Sequence, residues 1–192
     1  MIAICDFDDS FTFNLLSDLS SFSKTVVIPK KEIIQFLKDV LHKDERIVIV
    51  LGPGPGNPDE YLDFIKPIQD VLYKKNLFIF GVCLGHQLIW KSMGFNWSRS
   101  SMPIHGQSFL TYFKFFNKSL KIQRYNSLKV TGLKSQFQSL INEGWTIEFL
   151  KDEFMLSAKE NILTYQFHPE SVGSSRKDLL YSPIKDFLLQ SN

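Results

Sequence analysis

The chain has 192 residues, 44% of them hydrophobic, and a net charge of +2. That length suits one domain of about 100–200 residues with a sizeable core, and the near-neutral charge gives no electrostatic reason to expect a nucleic acid or a membrane surface as partner. Two cysteines, Cys5 and Cys83, are too few for a disulfide framework; the opening MIAICDFDDS lacks the basic start of a signal peptide, and no apolar run approaches the roughly 18 residues of a spanning helix, so the expected compartment is the cytosol.

Ile2–Cys5 is a short apolar run that predicts a buried strand. A helix follows over Ser10–Ser21, with Phe11, Leu15, Leu16 and Leu19 at helical spacing and Asp9 or Ser10 as its cap. Val26–Ile28 predicts a second strand ended by Pro29, and Ile33, Ile34, Leu37 and Leu41 mark one face of a helix over Lys31–Leu41. Ile47–Leu51 carries no charge and reads as a strand covered on both faces, stopping at Gly52-Pro53-Gly54-Pro55-Gly56-Asn57-Pro58. Residues 59–74 predict a helix kinked or broken at Pro67. Leu77–Phe80 is a further buried strand, and Gly81-Val82-Cys83-Leu84-Gly85 leads into a short apolar helix near His86–Ser92.

This βαβαβαβ order predicts a flavodoxin-like α/β domain: an open, mostly parallel sheet with helices on both faces. After Gly94 the pattern changes. Phe109–Phe116, Leu120–Arg124, Trp145–Leu150, Phe154–Ser157 and Ile162–Phe167 predict strands joined by short turns, expected as an antiparallel extension of the sheet. Arg176–Leu189 predicts a closing helix interrupted by Pro183. No repeat or linker divides the chain, so residues 1–192 are expected to form a single domain.

Ligands of open parallel sheets sit beyond the carboxyl ends of the strands, and three unusual segments fall there: Asp6–Ser10, Gly52–Pro58 and Gly81–Gln87. Gly81–Gly85 has the form G-x-C-x-G, a nucleophile elbow with cysteine in the serine position. A nucleophile on so tight a turn needs small neighbours two residues away. Its sulfur would stand at a helix N-terminus, where the dipole favours thiolate. A cysteine packed inertly between strand and helix is the plainer reading; the flanking glycines argue against it.

A thiolate nucleophile needs a base and an orienting group, and Gln166-Phe167-His168-Pro169-Glu170 supplies a candidate for each. Pro169 keeps His168 extended, so His168 and Glu170, two apart, project to the same side. A surface His-Pro turn would carry the same letters, and the spacing does not prove that Cys83 and His168 meet. Gly52–Gly56 leaves bare backbone suited to an oxyanion hole, and lacks the Lys-Ser/Thr ending of a phosphate loop.

The remaining groups fit structural roles. His42 lies in a charged, solvent-facing segment, His86 packs behind the elbow, His105 precedes Gly106 in a loop, and Cys5 ends a core strand. Asp6, Asp8 and Asp9 suit a turn and a helix cap. No metal-ligand spacing is present, and no metal or cofactor is expected.

Taken together, the chain from about residue 2 to residue 190 resembles the class I (triad-type) glutamine amidotransferases, and within them the small subunits of anthranilate synthase and aminodeoxychorismate synthase. The markers are D-F-D-D-S-F-T-F-N-L (6–15), G-P-G-P-G-N-P (52–58), G-V-C-L-G-H-Q (81–87), H-G (105–106), R-Y-N-S-L (124–128) and Q-F-H-P-E-S (166–171). The resemblance implies that Cys83 attacks the side-chain amide of L-glutamine, that His168 relays the proton, and that Glu170 orients His168. It implies an oxyanion hole from the N–H groups of Leu84 and Gly54, and glutamine contacts from Gly54, Pro55, Gly56, Leu84, Gln87, Ser127 and Leu128, the last two through backbone. It further implies a γ-glutamyl thioester, and ammonia passed to a chorismate-binding synthase subunit in a hetero-oligomer. Three positions depart from the usual pattern: Gly52 stands for serine, Asn126 for histidine and Gln107 for lysine. The His-to-Asn change lies beside the glutamine-contacting stretch and at the expected partner face. A γ-glutamyl peptidase, an inactive assembly subunit and a receiver-like binding module are the competing readings. The receiver needs an acceptor aspartate where Ile47–Leu51 ends in Gly-Pro-Gly.

Overall fold

The computed structural model describes residues 1–190; Ser191 and Asn192, the end of the expected 1–192 domain, lie outside the described residues. Strands β1 (Ile2–Asp6), β2 (Thr25–Pro29), β3 (Ile47–Leu51) and β4 (Leu77–Val82) alternate with helices α1 (Thr12–Leu19), α2 (Lys30–Val40) and α3 (Leu62–Val71), and α4 (Leu84–Ser92) follows β4. The strand side chains divide by parity. Ile47, Ile49, Leu51, Leu77 and Ile79 join a core closed by α2, α3 and α4. Val48, Val50, Phe78, Phe80 and Val82 join a second core closed by α1 and by two C-terminal helices, α6 (Lys177–Leu180) and α7 (Ser182–Leu189). Two apolar faces explain why these strands read as continuous hydrophobic runs.

The second half departs from a simple antiparallel extension. β9 (Thr146–Leu150), β10 (Glu153–Lys159) and β11 (Ile162–Tyr165) complete a seven-stranded sheet of order β2-β1-β3-β4-β11-β10-β9. β9 and β10 are antiparallel, as expected, but β11 inserts against β4 and runs parallel to it, pairing Tyr165 with Val82. Of the other predicted strands, β6 (Gln107–Phe113) and β7 (Lys118–Arg124) form a separate hairpin. Two strands without a sequence signal, β5 (Asn96–Arg99) and β8 (Leu128–Thr131), form another ribbon, and α5 (Lys134–Asn142) follows β8.

The local signals resolve in detail. The Asp6 carboxylate accepts the N–H groups of Asp8 (3.0 Å) and Asp9 (3.2 Å) and the Thr12 hydroxyl (2.8 Å), so the acidic cluster builds a turn. Asp9 Oδ1 accepts the Phe11 N–H at 2.8 Å, and α1 starts after Phe11 without a side-chain cap. Pro67 sits buried inside α3; the break in the predicted helix falls earlier, where a 3-10 turn over Pro58–Tyr61 hands over to α3. Pro183 opens α7, where its missing N–H costs nothing.

Candidate active site

β4 ends in the tightest turn of the site. Cys83 has φ 53° and ψ −99°, and α4 begins at the next residue. A non-glycine residue there is strained, and such strain persists only where its surroundings over-determine it. Two glycines do so. A Cβ on Gly81 would lie 2.6 Å from Ile89 Cδ1 and 2.9 Å from the Gly85 carbonyl carbon, and a Cβ on Gly85 would overlap the Leu51 carbonyl. The half-buried sulfur therefore stands at the N-terminus of α4, where Leu84, the first helical residue, has an N–H without an intrahelical acceptor.

The parallel insertion of β11 brings the distant half of the site here. The Cys83 N–H donates to Tyr165 O at 2.8 Å, and His168 follows three residues later. The His168 N–H donates to Gln123 O of β7 at 2.9 Å, and its carbonyl accepts the Ser174 hydroxyl at 2.6 Å. Its Nδ1 lies 2.7 Å from Glu170 Oε1, both side chains buried, which is the shared projection expected of residues flanking Pro169. The ring is held by Phe11 and Tyr125, each 5.0 Å away between centroids. Burial alone disfavours the imidazolium, but the Glu170 carboxylate and the Cys83 sulfur outweigh it and hold the His168 pKa well above the ordinary histidine range.

Cys83 lies in a pocket of about 210 Å³ lined by residues 54–56, Cys83, Leu84, Gln87 and residues 125–128. All seven residues expected to contact glutamine are in that lining. The 52–58 loop is held on three sides. The Gly52 N–H donates to Cys5 O (3.3 Å), the Gly85 N–H to Gly52 O (3.2 Å) and the Tyr61 hydroxyl to Pro55 O (2.9 Å). A Cβ on Gly54 would run into the Leu84 side chain and lie 2.8 Å from Phe7 Cβ, so only bare backbone fits against Leu84 there. The Ser127 carbonyl accepts the Ser100 N–H at 2.9 Å, and the Leu128 carbonyl accepts Gln87 Nε2 at 3.3 Å and Asn126 Nδ2 at 3.0 Å.

Asn126, expected at a partner-facing position, points inward instead: it is 3% exposed, bonded to Arg124 and to Glu153. Arg124 and Glu153 form a buried ion pair. Burial lowers the Arg124 pKa, and Glu153 opposes that shift. Sequence alone assigns no role to this pair, to Phe11 and Tyr125 beside the histidine, or to Gln166, whose Nε2 lies 3.7 Å from Cys83 Sγ. Gln166 carried a usable signal, because it precedes His168 by two in an extended segment and so faces the same side.

The other groups fall where expected. Cys5 is fully buried, and burial pushes its thiol pKa up. His86 is fully buried behind the elbow, 2.8 Å from Thr164 Oγ1, and burial lowers its pKa to about 3. His42 and His105 lie at the surface. Among the described residues no cluster of three His, Cys, Asp or Glu side chains is placed to hold a metal ion, and no helix is long and apolar enough to cross a membrane. A wider apolar groove of about 480 Å³ beside α5 contains neither cysteine nor histidine.

A three-layer α/β fold with a strained cysteine at the C-terminal edge of its parallel strands, and a buried His–Glu pair on the segment beyond β11, defines the architecture: an open sheet with a cysteine elbow. The family follows from comparison with known proteins. The model of the class-I glutamine amidotransferases matches residues 3–190, and the chain belongs to that family. It is 31% identical over 172 residues to anthranilate synthase component 2 of Helicobacter pylori, covering 85% of each chain. It is 32% identical to anthranilate synthase component 2 of Archaeoglobus fulgidus, covering 90% of this chain and 89% of that one. A putative GMP synthase subunit from Thermoplasma acidophilum shares the fold with a TM-score of 0.74 at 17% identity, covering 97% of this chain and 92% of the other.

Proposed function

We propose that the chain is the glutaminase subunit of a chorismate-using synthase, acting as one amidotransferase domain. Cys83 is the nucleophile, His168 the acid–base and Glu170 its orienting carboxylate. The observation that supports this most is the strained Cys83, seated in the pocket with its N–H bonded to Tyr165 O, three residues before the Glu170-bound His168.

The sulfur attacks the side-chain amide carbon of L-glutamine. The developing oxyanion takes hydrogen bonds from the N–H groups of Leu84 and Gly54, at the head of α4 and on the facing loop. His168, holding a proton beside Glu170, passes it to the departing nitrogen as the C–N bond breaks. Ammonia and a γ-glutamyl thioester result. Water then attacks the thioester, His168 takes its proton, and glutamate leaves. Gly54–Gly56, Gln87, Ser127 and Leu128 frame the substrate. Ammonia passes directly to the partner, because free ammonia is mostly protonated at neutral pH and ammonium is not a nucleophile. The relatives named anthranilate synthase component 2 favour anthranilate as the product made with that ammonia, with aminodeoxychorismate served by the same chemistry.

The test is Cys83→Ser in the assembled synthase. Glutamine-dependent synthesis should be lost and synthesis from added ammonium salt kept; retained use of glutamine would overturn the assignment.

A further inference from the structure

Amide side chains are ambiguous until their partners fix which end donates. Around Cys83 three of them are fixed by groups with no such freedom. Arg124 can only donate, and its Nε lies 3.0 Å from Asn126 Oδ1. Asn126 must therefore turn its Nδ2 away, toward Glu153 Oε2 at 3.2 Å and the Leu128 carbonyl at 3.0 Å. The Leu128 carbonyl can only accept, so the Gln87 atom 3.3 Å from it is the amide nitrogen. That nitrogen also faces Gln166 at 3.0 Å, which makes the facing atom Oε1. The remaining end of Gln166 is then its NH2 group, and it lies 3.7 Å from Cys83 Sγ. Gln166 is fully buried and held by its backbone N–H on Met155 O at 2.9 Å.

We propose that Gln166 is a further catalytic residue: its Nε2–H donates to the Cys83 sulfur and stabilises the thiolate, in an orientation set through Gln87 by the Leu128 carbonyl. The inference rests on the glutaminase reading for the reaction it serves, but the hydrogen bond itself does not. A donor aimed at a sulfur anion stabilises the attacking form and the form regenerated after thioester hydrolysis. The Leu128 carbonyl thereby sets the direction of the hydrogen bonds from Gln87 to the nucleophile, while the buried Arg124–Glu153 pair orients Asn126, which shares that carbonyl. His168 and Gln166 thus approach one sulfur as two donors two residues apart on one strand end.

The test uses the full chain and two substitutions, Gln166→Met and Gln166→Glu. Methionine keeps the volume and removes the donor. Glutamate keeps the acceptor for Gln87 and puts an oxygen where the N–H faced sulfur. Alkylation of Cys83 by iodoacetamide, followed by mass spectrometry at about pH 8, reads the sulfur directly; glutamate release from glutamine reads turnover. In variants that keep the wild-type circular dichroism spectrum, alkylation should slow about tenfold, the scale of one hydrogen bond to a charged group. The glutamine kcat should fall similarly, with KM changed less. If Gln166→Met does not fold, Gln166→Glu decides alone. Wild-type alkylation rates in a folded variant would overturn the inference and leave the glutaminase reading standing. Slowed alkylation with no glutamine turnover in the wild-type chain would do the reverse.

Discussion

His86 is a titratable ring placed where its charge has no counter-ion. Its Nδ1 meets the Thr164 hydroxyl, its Nε2 has no partner, and burial lowers its pKa from 6.5 to about 3. The folded state therefore binds fewer protons at this site than the unfolded chain between those values. Stability is present in full above pH 6.5 and is lost as pH falls toward 3. The loss is on the order of 5 kcal/mol across that window, at about 1.4 kcal/mol per pKa unit. His86→Leu removes the titration and leaves the Thr164 hydroxyl its bond to Ser157. Thermal melts from about pH 7 to about pH 4 should fall more steeply for the wild-type chain than for the variant; parallel curves would refute the linkage. At this scale the sequence was highly legible. Cys83 and His168–Glu170 were recognisable because their chemistry is written into adjacent letters: glycines two either side of a cysteine, and a proline between histidine and glutamate. The Arg124–Glu153 pair was not, because nothing local links residues 29 positions apart, whereas Gln166 carried its signal in its place two before His168.

Elements were legible where a periodic apolar face met a core. The first four strands and four helices were found with boundaries displaced by a few residues, since both cores draw on them. β5, whose sequence is NWSR, and α5, which buries none of its residues, have no such face to announce them. The direction of β11 was invisible for another reason: a buried strand of four residues pairs equally well either way, and its choice of β4 is made by distant partners. That choice brings His168 to Cys83. The 52–58 loop shows the opposite case, with a local signal that matters. Asn57 caps the turn that follows it, with Oδ1 accepting the Asp59 N–H at 2.9 Å and the Glu60 carboxylate returning to the Asn57 N–H at 3.1 Å. Asn57→Ala should cost about 1 kcal/mol, as loss of a cap does, and lower Tm by about 2–4 °C for a chain of this size. Because Gly54 and Pro55 hang on that turn, KM for glutamine should rise more than kcat falls. An unchanged KM with the expected drop in Tm would confine the cap to a role in stability.

At the scale of the whole molecule, the site is assembled from four separate stretches: the loop after β3, the elbow after β4, the segment between β7 and β8, and the chain beyond β11. Each comes from a different part of the fold, and backbone hydrogen bonds tie neighbouring stretches together, Gly85 N–H to Gly52 O and His168 N–H to Gln123 O. The rim is linked to the pocket wall where His105 Nε2 lies 3.2 Å from the Ser127 hydroxyl. A glutaminase that fires without a consumer wastes glutamine, and a synthase partner docking over the exposed 105–107 loop would be placed to move that wall. Glutamate release by this chain should therefore rise on the order of tenfold when the synthase partner and chorismate are both present, within the usual range of coupling between sites. His105→Ala should weaken that activation while leaving the basal rate of the isolated chain in place. Equal turnover with and without the partner and chorismate would sink the coupling argument, and full activation of the His105 variant would move the point of coupling elsewhere on the rim.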